Sequence, residues 1–179
     1  MMALKNYMDK VLISHGSLQM VPMQKRHVIP MYSTMSAENL FEAEAVYKVD
    51  LMKTLIQYSE TPDVFAIENS KEPLAIVGIT GITHQQAIMW TVFSEKMKEN
   101  WFSFVKASPK LIDYLHTHYH EIIVDTWEGN HKMLQWLGWL GFDLTEMYCN
   151  EHGFNMAHFV RCNQQRKNVY AFPSRPVIH

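Results

Sequence analysis

Asn130 stands where a side chain can do more than pack. It follows the β-like run 121–127 and opens the stretch N-H-K-M-L-Q-W-L-G-W-L-G-F, which Gly141 and Phe142 close eleven residues later. An asparagine at that point can accept from the first amides of a helix as its N-cap, or turn its amide toward a ligand held there; the residues leave both open. A second polar cluster, Ser94, Lys96 and Lys98, follows the apolar run 87–93 in a loop that holds no glycine from 94 to 100. Its ammonium groups can meet phosphate as point charges. Glu95 and Glu99 offset them locally, so a solvated loop is the plainer reading. His116, His118 and His120 alternate, a spacing that gathers side chains on one side only in an extended segment. With Asp113 and His84 they are the nearest approach to a ligand set, but the two-histidine helix spacing of metalloproteases is absent. The expectation is a hydrated helix end and no metal. Nucleophile-elbow, P-loop and dinucleotide fingerprints are also missing.

The elements that must position these residues follow from periodicity. Residues 1–17 show no clear period and read as an irregular lead-in, with 14–17 as a turn. A strand is expected over 18–23, and a helix over 24–35 that Pro30 kinks or divides. Ser36 can cap a helix over 39–58, whose residues Leu40, Ala43, Val46, Tyr47, Leu51, Leu55 and Tyr58 recur at helical spacing. Thr61-Pro62-Asp63 ends it. Strands are expected over 64–68, 74–82 and 87–93, then a helix over 101–119 in which Pro109 marks the first turn or a break. A strand over 121–127, a helix over 131–140 and a hairpin of 144–149 with 155–162 complete the chain before a polar tail, 163–179.

Composition fits one domain over residues 1–162: 47% of the 179 residues are hydrophobic and 19% charged, enough apolar surface for a substantial core. The net charge of −2 gives no overall electrostatic footprint for nucleic acid. No apolar run is long enough to span a bilayer, and the first residues lack a signal-peptide pattern. Cys149 and Cys162 fall in adjacent expected strands, where they could be neighbours; both are read as reduced. The tail combines basic and aromatic residues (Q-Q-R-K-N-V-Y-A-F-P) that could order on a partner.

The element order and the run at 130–142 together resemble the GNAT acyltransferase superfamily, whose second cofactor-proximal motif runs roughly N-x-x-A-x-x-L-Y-x-x-x-G-F. Asn130, Gly141 and Phe142 match, and Leu137 stands at the position of the family tyrosine. A narrower likeness joins M-W-T-V-F-S at 89–94, W-F-S-F-V-K-A-S at 101–108 and L-Q-W-L-G-W-L-G-F at 134–142. These segments are similar to small GNAT-like proteins that short-tailed bacteriophages encode near their internal virion proteins.

The resemblance implies an α/β fold with a mixed sheet, splayed near its centre and flanked by helices, into which acyl-CoA enters in active members. Strands 87–93 and 121–127 should be parallel neighbours that diverge at their C-terminal ends. The family cradles pyrophosphate with Q/R-x-x-G-x-G/A, whose glycines let successive amides turn toward the phosphates. The equivalent stretch here, 94–100, has none. Ser94, Lys96, Lys98 and Asn130 are therefore the candidate cofactor contacts. No residue is assigned to catalysis, because Leu137 has no proton to give a departing thiolate and Tyr148 and Tyr114 would need a different geometry. The expected function is that of a phage-encoded GNAT-like protein acting in virion assembly or protein interaction, its acyl-CoA site degenerate. Its partner would be a phage structural or host protein, in the host cytoplasm or associated with the virion, with no cofactor tightly bound. The alternative is an N-acetyltransferase using acetyl-CoA through a non-standard pyrophosphate loop, acetylating an amine of a host or phage protein.

Overall fold

Gly16, at φ 61, reverses the chain between β1 (Ile13–His15) and β2 (Leu18–Pro22). The computed structural model describes residues 13–163. The last part of the expected lead-in is thus a short antiparallel hairpin; residues 1–12 and the tail from 164 onward lie outside the described residues. β3 (Val64–Asn69), β4 (Glu72–Gly81) and β5 (Gln86–Phe93) extend the sheet antiparallel. Helix α4 (Met97–Leu115) then crosses over, and β6 (Glu121–Trp127) lies parallel to β5 as expected. The hairpin β7 (Asp143–Cys149) and β8 (Asn155–Cys162) completes the order β1-β2-β3-β4-β5-β6-β8-β7.

β5 and β6 pair at Gln86↔Glu121, Ala87↔Ile122 and Ile88↔Ile123, and beyond that they separate toward Phe93 and Trp127. That divergence is the splay. Alternation along the strands builds a core on each face of the sheet. On one side α4 and α5 (His131–Trp139) cover Val77, Met89 and Ile122 with Phe104, Ile112, Trp136 and Leu137. On the other, α1 (Lys25–Ser33) and α3 (Leu51–Tyr58) cover Ala66 and Ile76 with Met31 and Leu55. There Trp90 lies across Gly78, where an added Cβ would fall 2.0 Å from the indole, and Tyr58 packs on the same ring at 4.7 Å between centroids.

Several expectations need correction. The helix over 39–58 is three pieces: α2 (Ala37–Phe41), a π-helix (Glu42–Val46) and α3. The apolar period runs through the break, but Lys48 adopts φ 55 and Asp50 caps α3 by accepting from the Lys53 amide at 3.0 Å. α1 keeps Pro30 inside a single helix. α4 begins at Met97, so Pro109 is well inside it, and it ends at Leu115 rather than 119. His116 is buried, its Nδ1 3.1 Å from the Tyr119 carbonyl, and does not face water at a helix end. The cysteines are not neighbours: β7 sets Cys149 against Asn155, whereas Cys162 lies at the far end of β8 against Glu121.

At the other end of α5 the sequence reads correctly. Gly141 has φ 77, its amide donates to the Gly138 carbonyl (3.1 Å), and the Phe142 amide donates to Leu137 (3.0 Å), which is a Schellman termination. Phe142 follows into the core at 4% exposure.

Candidate functional site

Beyond the last β5–β6 pair, four of the backbone groups that the two strands turn toward the gap find partners elsewhere, and Thr91, farther along β5 than that pair, has a buried hydroxyl with no partner among the described residues. The Ser94 amide still donates to Leu74 on β4 at 2.9 Å, so the preceding peptide groups of Phe93 turn away from β4, toward the gap. On the opposite lip, the Asp125 carbonyl and the Trp127 amide are free of β8. One stretch of chain, residues 36–47, meets all four. The Phe93 N–H donates to Asn39 Oδ1 (2.7 Å), and the Ser36 N–H donates to the Phe93 carbonyl (2.9 Å). Across the gap, the Trp127 N–H donates to Glu42 Oε1 (2.8 Å) and the Tyr47 hydroxyl to the Asp125 carbonyl (3.1 Å).

Local sequence explains why this stretch can do so. Ser36 caps α2 by accepting from the Asn39 amide at 3.3 Å. Asn39, Glu42 and Val46 fall on one helical face and are all buried. The wider π turn, closed by the Tyr47 amide on the Glu42 carbonyl at 3.0 Å, brings Tyr47 to the β6 lip. Burial, then the charges of Glu42 and Asp125, push the Tyr47 hydroxyl well above its ordinary range, so it stays a donor.

Glu42 is the centre of the arrangement. It is 7% exposed, and its carboxylate accepts from the Thr126 hydroxyl (2.9 Å) and Trp127 N–H on Oε1, and from Asn130 Nδ2 (2.8 Å) on Oε2. A buried carboxylate is tolerable only with such a full set of donors. Asn130 is thereby committed twice, because its Oδ1 also accepts from the Met133 amide at 3.3 Å as the N-cap of α5.

Beside this stretch, the first turns of α4 and α5 enclose a cleft of about 230 Å³. Phe93, Met97, Trp101 and Met133 supply its apolar wall, with Lys98 and Lys132 among its charged residues. Glu38 lies on the same cleft, 3.6 Å from Lys132; its own backbone amide, then Lys132 and Lys98, hold its carboxyl below the ordinary range against the opposing effect of burial.

The candidate contacts divide accordingly. Ser94, Lys98 and Asn130 border the cleft. Ser94 is buried, its hydroxyl donating to Thr34 Oγ1 (2.9 Å) and accepting from the Lys96 amide (3.1 Å). Lys96 turns to Glu72 on β4, and Lys98 to Glu95. The amides of Met97 (3.0 Å) and Lys98 (3.2 Å) close on the carbonyls of Ser94 and Glu95. The loop's backbone donors thus point inward. Leu137 is fully buried in the core. Tyr148 donates to Asp125 Oδ1 at 3.3 Å, beside His158 Nδ1 at 2.8 Å from the same oxygen, and Tyr114 packs edge-on to His118; neither tyrosine lines the cleft.

Asn39 and Glu42 do not figure among the candidates read from sequence. The signal available is two polar residues three apart inside the apolar stripe of Leu40, Ala43 and Val46.

A coenzyme A arm entering the splay would need the strand-edge groups and the amides at the start of α4. Of the former, those of Phe93, Asp125 and Trp127 are held by Asn39, Ser36, Glu42 and Tyr47, and the latter by Ser94 and Glu95, so at these positions the residues present do not fit that group, whereas Thr91 keeps a buried hydroxyl without a partner among the described residues.

No protein-family model and no curated protein sequence matches the chain. Solved structures do. An acetyltransferase of the GNAT family from Bacillus anthracis superposes with a TM-score of 0.70 at 11% identity, over 86% of this chain and 99% of that one. The ribosomal-protein-S5-alanine acetyltransferase from Vibrio fischeri gives 0.63 at 12% identity, over 87% and 98%. The spermidine N-acetyltransferase from Vibrio cholerae, solved in complex with CoA and spermine, gives 0.63 at 12% identity, over 83% and 96%. With its mixed sheet, eight-stranded among the described residues and splayed between β5 and β6, the chain has the fold of the GNAT acetyltransferases.

Proposed function

We propose that this chain is a phage-encoded GNAT-fold protein that works through protein interaction, in virion assembly or on a host protein, rather than through acyl transfer. The observation that carries this reading is the occupation of both lips of the splay by residues 36–47 of the chain itself. The inward-closed loop at 94–98 and the buried Leu137 support it. The likeness of residues 89–94, 101–108 and 134–142 to small phage proteins supports the phage setting. Among the described residues β7 is an edge strand exposed at all seven positions, with Leu144 and Met147 about half exposed, and it is the edge at which a partner strand would add. Titrating acetyl-CoA into the full chain by calorimetry tests the reading. Binding weaker than about 100 µM, with turnover on generic amines at background, is expected. A low-micromolar dissociation constant would reverse it.

A second reading, an acetyl-CoA-dependent N-acetyltransferase acting on a protein amine, is favoured by the cleft itself. It is open, bordered by the starts of α4 and α5, and carries Lys98 and Lys132. Structures of the same fold have been solved with CoA bound. Under this reading, Lys98→Ala with Lys132→Ala raises the KM for acetyl-CoA at least about tenfold, whereas under the first there is no turnover to lose.

A further inference from the structure

The bonds at the splay have a pattern beyond filling space. An extended ligand lying between two strands satisfies one lip with a donor and an acceptor, and the other lip likewise, as an added strand does. Residues 36–47 reproduce that exchange with one backbone amide and three side chains. Toward β5 they offer an acceptor (Asn39 Oδ1) and a donor (Ser36 N–H); toward β6, an acceptor (Glu42 Oε1) and a donor (Tyr47 O–H). At the base of the stretch, Met35 makes a single antiparallel bridge to Ser94, and the Glu95 amide donates to the Thr34 carbonyl at 2.7 Å.

We propose that residues 36–47 are a built-in surrogate for an extended, amide-bearing ligand of the pantetheine class, complementing in its place the ends of β5 and β6 at Phe93, Asp125 and Trp127. The proposal rests on the reading that the chain is not an acyltransferase, and it names the residues responsible. Glu42 pins the segment to β6, and through Asn130 it also withdraws from the cleft the amide that motif resemblance would assign to a cofactor. Asn39 pins it to β5. Both pins are polar and end on backbone N–H groups, so their removal uncovers donors that an amide carbonyl can take over. Lys48, at φ 55 immediately beyond the segment, and the π turn within it mark where the chain departs from regular helix to make the fit.

The test is residue-resolved amide hydrogen exchange on the full-length chain, with acetyl-CoA as the probe. In the wild type without ligand, the Phe93 and Trp127 amides should exchange on the order of 100-fold more slowly than unstructured amides, and ~1 mM acetyl-CoA should leave them unchanged. In the Asn39→Ala, Glu42→Ala double variant both should lose protection and regain it with acetyl-CoA, accompanied by a rise in Tm that the wild type does not show. Fast exchange of these two amides in the wild type overturns the proposal, as does protection that develops only when acetyl-CoA is added. A folded double variant indifferent to acetyl-CoA also overturns it. If the double variant does not fold, the wild-type exchange decides alone. Turnover by the wild type would refute the proposed function, whereas the two amides report on the surrogate.

Discussion

Glu42 shows how much one buried carboxylate can organise. Removing it as Glu42→Ala strands three donors, the Thr126 hydroxyl, the Trp127 amide and the Asn130 side-chain amide, in a buried setting. The expected loss is about 2–4 kcal/mol of unfolding free energy in urea titration, since unmade buried hydrogen bonds cost more than made ones contribute. A second residue sets a pH response. His27 is fully buried, its Nδ1 accepts from the Gln24 amide at 3.0 Å, and its Nε2 lies 3.1 Å from Glu68. A proton on Nδ1 would confront that amide. Burial first, and the Arg26 charge second, lower its pKa against the pull of Glu68. The unfolded chain therefore takes up a proton that the folded chain resists. The stability contribution is complete above about pH 6.5 and is lost as pH falls below it. Urea midpoints measured from pH 7 down to 5 should decline, and His27→Gln should flatten the decline.

At the scale of elements, the sequence is most legible where one local rule acts alone. The Asn130 cap, the Gly141 termination and the burial of Phe142 follow from helix-end chemistry, and the parallel β5–β6 pair from the handedness of a crossover. Phe142→Ala should cost about 3–5 kcal/mol by chemical denaturation, as a large side chain lost from a core. Legibility fails where two local preferences compete. The stripe from Leu40 to Tyr58 is continuous, yet the Asp50 cap and the π turn divide it, because the tertiary bonds of Asn39, Glu42 and Tyr47 outweigh an unbroken helix. The pinning of the strand ends was unreadable for the same reason: it depends on partners 54 and 85 positions away along the chain. Gly78 illustrates a contact that composition hides. Gly78→Ala sets a methyl into the Trp90 indole, which can yield only by disturbing Tyr58, so a loss of about 1–3 kcal/mol and a shift in tryptophan fluorescence are expected.

At the scale of the molecule, the β7–β8 register keeps the two cysteines apart. Cys162 lies seven positions along β8 from Asn155, the partner of Cys149, or roughly 23 Å at strand rise. Mild oxidation of monomeric protein should leave both thiols titratable by a chromogenic disulfide reagent; an internal disulfide by mass spectrometry would contradict the register. The sheet itself is two leaves, β1 to β5 and β6-β8-β7, bound along a spine of three residue pairs. Between the leaves the backbone pairing is limited to that short spine, and what else joins them is the core that α4 and α5 lay over Val77, Met89 and Ile122 and the polar stitches of residues 36–47. The hydrogen-bond ladder that joins the leaves is therefore thin along one line, between β5 and β6. Asn150, in the turn between β7 and β8, donates to the Val46 carbonyl at 2.9 Å and so ties the outer leaf to the end of the π-helix. A load drawn through β7 and β8 to β6 thus meets its fewest ladder pairs at that line, where the strands would part as a book does at its binding, held by the core that covers it.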